Sequence, residues 1–220
     1  MKLNAFFKLH ILVSVQFAFL INMIESKQGW NTSGNGYIQY EAPTQLKHTR
    51  KLMINGTFAT TKSNPNDDLI LAVKDSNGHN NFTFSISKDF ATLSINFISG
   101  NYTKMHLHDF DATSGKIFPF AIIIYFEPKD DNKGEYEFAL EVGEFFGKIL
   151  PNNTSTWNFE RITLSIGGYK GTNKTQFQGC LSNFVLDGVS IIDTYFDQYP
   201  DNKNRKMVGS SNKNPKSVRI

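Results

Sequence analysis

The sequence predicts an all-β fold, an antiparallel β-sandwich or jelly roll. Three observations lead there. Phe occurs 20 times and Tyr 8 times, and aromatic side chains suit a pleated, half-buried surface. Short runs that alternate apolar and polar residues follow one another, separated by turn-forming clusters roughly every 8–12 residues. No stretch sustains a helical period. With 40% hydrophobic and 20% charged residues among 220, a packed core is expected, in one domain plus short extensions.

The strands are expected in this order. Residues 36–40 (GYIQY) and 51–60 (KLMINGTFAT) open the domain. Residues 68–73 (DLILAV) form a continuous apolar run, the pattern of a core strand. Residues 81–87 (NFTFSIS) alternate strictly, with Phe82, Phe84 and Ile86 on one face, and residues 91–97 (ATLSINF) repeat the pattern. The segments 62–67, 75–78 and 99–101 between these runs carry Asn, Asp, Ser, Gly and Pro, the residues of turns. Residues 120–126 (FAIIIYF) are the most apolar strand. A charged loop from Pro128 to Gly134 returns the chain into 136–142 (YEFALEV) as an antiparallel hairpin. Residues 161–168 (RITLSIGG) and 180–185 (CLSNFV) close the domain.

The ends differ from the middle. Lys2 and Lys8 precede or border the run Leu9 to Ile21, which is too short and interrupted for a good membrane span and fits the apolar segment of a secretory signal. Residues 1–26 are therefore expected to be a signal peptide cleaved near Ser26; an uncleaved signal anchor is the competing reading. Residues 27–35 are expected as linker, 36–200 as the domain and 201–220 as a basic, disordered tail. The formal charge of +3 hides an uneven distribution: from Lys203 onward stand six basic residues and no acidic one. The rest carries fewer cations than its acidic residues, so a nucleic-acid-binding face is not expected. No second apolar span follows, which implies a secreted, extracellular protein with no membrane span after signal removal. Asn-x-Ser/Thr sequons agree, at Asn31, Asn55, Asn81, Asn101, Asn152, Asn153 and Asn173. They are expected on solvent-facing positions as glycosylation candidates.

Ile166-Gly167-Gly168-Tyr169, followed by residues 177–188 (FQGCLSNFVLDG), resembles the closing motif of laminin G-like domains of the laminin, neurexin and sex-hormone-binding-globulin type. Upstream, Phe58-Ala59-Thr60-Thr61, Leu69-Ile70-Leu71, Phe82 to Ile86, then Asp89 with Leu93-Ser94-Ile95, resemble that family's opening strands. The resemblance spans roughly residues 36–195. It implies a concanavalin A-like jelly roll of laminin G type, and a non-catalytic secreted module of cell adhesion or matrix recognition that binds protein or glycan through rim loops. It also implies a calcium site headed by an Asp, but Asn80 and Asn81 stand there. An amide is a poorer ligand than a carboxylate for a hard cation, so calcium is not expected and no other cofactor is implied. Gly115-Lys116-Ile117-Phe118 replaces the family's Trp-His pair. The family's cysteine has a downstream partner, whereas Cys180 is the one cysteine of this chain. It is read as a buried small hydrophobe, with pairing between chains and loss of the bridge in a shortened member as alternatives. Phe177, Leu181 and Val185 are its candidate core neighbours, and Asp187-Gly188 a hairpin turn.

Other candidates for chemistry carry blander readings. His106 and His108 would share a strand face, beside Asp109 and Asp111, as two-histidine metal sites begin; an exposed strand end with no third ligand explains them as well. Glu135, Glu137 and Glu141 share parity opposite Tyr136, Phe138, Leu140 and Val142, the solvent face of an amphipathic strand rather than a pair of glycosidase carboxylates. No nucleophile, phosphate loop or Ser/His/Asp arrangement occurs, so no enzyme is expected. Trp30 and Trp157 lack the His-x-Asn-x-Arg context of a galectin-like sugar site. A basic cluster at Lys47, Arg50 and Lys51 (with His48) is the candidate contact for a heparin-like glycan, by electrostatics. The alternative function is a secreted lectin or carbohydrate-active enzyme on the same scaffold.

Overall fold

The computed structural model describes residues 29–33, 37–78, 80–97, 102–128, 134–151, 157–169, 174–191 and 216–218. Among the described residues, fifteen strands and one short helix run in chain order: β1 (Gly29–Ser33), β2 (Ile38–Pro43), helix α1 (Leu46–Thr49), β3 (Lys51–Thr60), β4 (Asp68–Asp75), β5 (Asn81–Ile86), β6 (Phe90–Asn96), β7 (Tyr102–His108), β8 (Phe118–Pro128), β9 (Gly134–Val142), β10 (Phe145–Ile149), β11 (Arg161–Ile166), β12 (Thr175–Gln176), β13 (Gln178–Leu186), β14 (Val189–Ser190) and β15 (Lys216–Val218). Two sheets form. Sheet A runs β10-β9-β8-β3-β13-β1-β15, with β14 on β13; sheet B runs β2-β11-β4-β5-β6-β7, with β12 on β4. Among the described pairings all are antiparallel except β12 on β4.

Period-2 alternation decides which side chains meet between the sheets. Phe82, Phe84 and Ile86 of β5, Leu93 and Ile95 of β6, Phe120, Ile122 and Ile124 of β8, and Phe138, Leu140 and Val142 of β9 are all buried in one core. Phe58 is its hub, with five neighbouring Phe rings at centroid distances from 5.7 to 6.3 Å. A Cβ at Gly56 would stand 2.8 Å from the Phe120 ring, so glycine there makes room for that packing. Strand β8 is buried on both faces, because Ala121 and Ile123 pack with Ala139, Met53 and Tyr125 on the other side of sheet A. That is why 120–126 reads as a continuous apolar run instead of an alternation.

The structure corrects several expectations. Residues 27–35 were expected as linker, but Gly29–Ser33 is a strand paired with β13, so the sandwich begins earlier than residue 36. Thr32 is buried and its hydroxyl donates to the Phe177 carbonyl at 2.7 Å. Within the tail expected to be disordered, Lys216–Val218 pairs with Gly29–Asn31. The remaining tail residues and the expected signal peptide, 1–26, lie outside the described residues. Val185 is buried as expected but not in the core between the sheets. A register shift falls between Ser182 and Val185 and Asn183 adopts φ +54°, which inverts the alternation so that Phe184 and Leu186, with Phe177 and Leu181, face the core. Cys180 lies on the opposite parity from Leu181. It is a free thiol and half-buried instead of fully buried. The Asp187-Gly188 turn forms as expected, with φ +47° and +89°, and the Asp187 carboxylate accepts the Met53 N–H at 2.8 Å.

Candidate functional site

The outward face of sheet B carries a polar ladder. Register places Ala72, Thr83, Ser94 and Lys104 in one row across β4, β5, β6 and β7, and Lys74, Asn81, Asn96 and Tyr102 in the next. These are the residues that alternate with the core-facing Phe and Leu of the same strands. Small side chains in the first row leave a groove of about 510 Å³, walled by Lys74, Lys104, Asn81, Asn96, Tyr169 and Lys174. The Thr83 and Ser94 hydroxyls form its floor. Both residues are more than nine-tenths buried, and neither oxygen has a hydrogen-bond partner among the described residues. A buried hydroxyl without a partner costs about 1–3 kcal/mol, so a pair of them marks a place where an external group can be received.

Charge surrounds that floor. Lys174 donates to the Asp67 carboxylate and, at 2.9 Å, to the Ser85 hydroxyl, while Ser85 Oγ donates to Asp67 at 2.6 Å. Burial alone would raise the Asp67 carboxyl, but hydrogen bonds from Lys174 and Ser85 and the charges of Lys174 and Lys104 outweigh it and hold the group below its ordinary value. Asp67 adopts φ +54°, and its N–H donates to Ser87 Oγ at 3.0 Å. Next in sequence, the fully buried Asp68 pairs with Lys62 at 2.7 Å and accepts from the Thr175 hydroxyl. These two aspartates fasten the loop before β4 to the segment around β12, which brings Lys174 over sheet B. Lys74 lies over the Tyr169 ring at 4.5 Å and Lys104 over Tyr102 at 5.3 Å.

The residues singled out from the sequence fall elsewhere or apart. Arg50 ends α1 with φ +56°, and Lys51 opens β3 with its ammonium 6.0 Å from the Tyr125 ring centroid; the side chains of Lys47 and Asn31 are outside the description. Lys51 borders a second cleft, about 710 Å³, lined chiefly by Tyr40, Ala42, Pro43, Leu186, Val189 and Ile191. It is larger than the sheet B groove but apolar, so the basic cluster does not stand beside a polar recess. Asn55 is 3% exposed within central strand β3; the expectation of a solvent-facing sequon is corrected there, because its neighbours on β8 and β13 leave a glycan no room. Asn101, Asn152, Asn153 and Asn173 lie outside the described residues. Asn80 is buried and donates to the buried Asp75 carboxylate through Nδ2 at 3.1 Å and N–H at 3.3 Å, which uses its side chain inside the fold.

His106 and His108 do share the exposed face of β7, rings 6.0 Å apart, with Phe90 against both. His106 Nδ1 is 2.9 Å from the Thr92 hydroxyl; burial, then the His108 and Lys104 charges, hold its imidazole below the ordinary value. Asp111 instead caps the 3₁₀ turn Ala112–Ser114, accepting from the Thr113 N–H at 2.9 Å. Among the described residues no three His, Cys, Asp or Glu stand close enough to hold a metal. Trp157 is buried and stacks on Phe159, centroids 4.9 Å apart and 5° from parallel. Glu137 pairs with Lys148 on the outward face of sheet A, and burial pushes Glu141 on that face upward.

The two packed antiparallel sheets and their strand order define a jelly-roll β-sandwich. Its particular type is laminin G-like. The domains LG4-5 of the mouse laminin alpha1 chain superpose over 74% of this chain and 42% of their own, at 14% identity and TM-score 0.52. The LG1-3 region of the laminin alpha2 chain superposes over 76% of this chain and 33% of its own, at 13% identity and TM-score 0.54. This chain thus spans less than half the length of either. No family model matches the sequence, and no curated protein matches it. Among the described residues no helix is long and apolar enough to cross a membrane.

Proposed function

We propose that the protein is a secreted, non-catalytic binding module of the adhesion or matrix-recognition kind, and that the groove on sheet B receives its ligand. The observation that carries this reading is the pair of buried hydroxyls of Thr83 and Ser94, without partners among the described residues, beneath Lys74, Lys104 and Lys174. Their chemistry favours a hydroxyl-rich ligand bearing carboxylate or sulfate groups, an acidic glycan before a protein. Such a ligand supplies hydrogen bonds to the floor and countercharge to the walls. The Tyr169 ring offers an apolar flank for a sugar face.

Against catalysis, glycoside hydrolysis needs two carboxylates facing each other across the cleft. Among the described residues Asp67 is the carboxylate lining this groove, and Lys174 and Ser85 already engage it. Secretion is supported by the N-terminal apolar run and the seven sequons.

A glycan and matrix-protein array tests the reading, run at two salt concentrations with and without calcium, on wild type, Lys104→Ala and Lys51→Ala whose N-glycans have been trimmed by endoglycosidase. Acidic glycans are expected to bind wild type and Lys51→Ala, weakly at raised salt, and Lys104→Ala at least threefold more weakly. A flat array sinks the glycan reading. Loss in Lys51→Ala alone moves the site to the apolar cleft, and calcium-dependent binding contradicts the inference drawn from Asn80 and Asn81.

A further inference from the structure

The sequon Asn81-Phe82-Thr83 is built into the groove itself: Asn81 stands in its wall and Thr83 in its floor. Asn81 faces Asn96 across β5 and β6 and accepts a hydrogen bond from Asn96 Nδ2 at 3.0 Å through its own Oδ1. Its Nδ2, the atom a glycan attaches to, donates to none of the described residues, and the side chain is half-exposed. Asn55, by contrast, is sealed inside sheet A. Phe82 between Asn81 and Thr83 points into the core, so the sequon cannot rotate away from sheet B without unpacking it.

We infer that Asn81 carries an N-linked glycan that lies across the groove and masks it. The inference rests on the reading of the groove as the ligand site given above. Attachment is a group transfer from a lipid-pyrophosphate-linked oligosaccharide. Nδ2 bonds to C1 of the first sugar and loses one proton; the C1–O bond to the pyrophosphate breaks, and the lipid pyrophosphate leaves with the bonding pair. Nothing is oxidised or reduced. Oδ1 is untouched, so the Asn96 hydrogen bond survives and continues to hold the amide at the groove wall. From that anchor the sugar hydroxyls lie within reach of the same groups that would receive a free ligand: the floor hydroxyls, the Asn96 amide and the lysine ammonium groups. An intramolecular occupant needs little intrinsic affinity to compete, because its effective concentration is high. The module is then closed while glycosylated at Asn81 and open where that sequon is unmodified or trimmed.

The test uses the full chain secreted from a glycosylating eukaryotic host, as wild type and Asn81→Gln. Peptide mapping by mass spectrometry is expected to find a glycan on Asn81; an unoccupied Asn81 overturns the inference and leaves the groove reading standing. Acetylation by an amine-reactive ester is expected to be at least threefold slower at Lys74 and Lys104 in the wild type than in Asn81→Gln, with Lys148 on the other sheet unchanged. Equal rates with Asn81 occupied overturn the masking. A heparin oligosaccharide probe is expected to bind Asn81→Gln at least fivefold more tightly than wild type; equal binding also overturns it. Protection of the lysines with no probe bound by either protein supports the seat of the glycan and overturns the groove as ligand site. Where Asn81→Gln is not secreted, wild type trimmed by endoglycosidase to the first N-acetylglucosamine takes its place.

Discussion

Replacing Gly179 by Ala should be among the most damaging single-methyl additions this protein can receive. Gly179 sits in β13 with φ +150°, and a Cβ there would lie 2.1 Å from the Ala59 carbonyl oxygen and 2.8 Å from Thr60 Cα. Both are backbone atoms of β3, which is held between β13 and β8, so no flexible side chain can yield. Forcing the strands apart costs about 1–3 kcal/mol as overpacking, and the unfavourable φ adds about 1–2 kcal/mol. The expected loss is therefore roughly 2–5 kcal/mol, a Tm lowered by about 4–20 °C for a domain of this size. Gly188→Ala is the control. Its φ is +89° but nothing lies within 4 Å of the added Cβ, so only the backbone term of about 1–2 kcal/mol applies. Urea unfolding followed by the fluorescence of buried Trp157 measures both, with unchanged slope expected. If Gly179→Ala loses no more than Gly188→Ala, the close approach of β13 to β3 is not what requires glycine in this motif.

Ser94→Ala should stabilise the fold by about 1 kcal/mol, because it removes a buried hydroxyl without a partner among the described residues, while weakening the binding of an acidic glycan and leaving the Asn81 sequon intact; a loss of stability on thermal melting would mean that the hydroxyl is satisfied within the fold. Asp68→Asn should cost roughly 2 kcal/mol, by uncoupling a buried carboxylate from Lys62 and Thr175, and chemical denaturation that finds no change refutes that anchoring role. Burial, with the Asp75 charge adding to it, pushes the Tyr136 phenol up to about 12. Its folded pKa is raised, so the stability it contributes is complete below pH 10 and is lost as pH rises toward 12; Tyr136→Phe should flatten that alkaline limb of a stability–pH curve, and an unaltered limb assigns it to other groups. Burial also pushes the Cys180 thiol up. Labelling at pH 8 should therefore be measurable but slower than for a free thiol, and immediate quantitative labelling would place Cys180 outside the sheet.

The fold was legible because β-strand periodicity is local. Phe82, Phe84 and Ile86 or Tyr136, Phe138 and Leu140 announce their buried face from their spacing alone, and Asp187-Gly188 announces its turn. The opposite parity was equally legible: Asn81, Thr83 and Ser85, then Thr92, Ser94 and Asn96, form a polar outward face of small residues. What stayed hidden there was the groove. Lys74, Lys104 and Lys174 come from β4, β7 and the loop before β12, and only strand register and the Asp67 and Asp68 anchors bring them over that floor. The basic cluster at Lys47, Arg50 and Lys51 stood out because its charges are adjacent in sequence, yet adjacency in the chain is not convergence in space.

Spacing also failed where one residue changed its meaning. Val185 and Phe184 exchange faces because Asn183 takes a left-handed conformation, and no hydrophobic pattern records a single positive φ. Strand β1 went unread for a related reason. Residues 29–33 carry one large apolar side chain, Trp30, among Gly, Asn, Thr and Ser, and become a strand because β13 offers them an edge. Composition and periodicity thus determined the all-β class, the core faces and the hairpin turns, since these follow from local alternation and turn chemistry. Tertiary structure alone decided the extent of sheet A, the sealing of Asn55 and the assembly of the groove, since each depends on which distant backbone supplies the neighbouring hydrogen bonds.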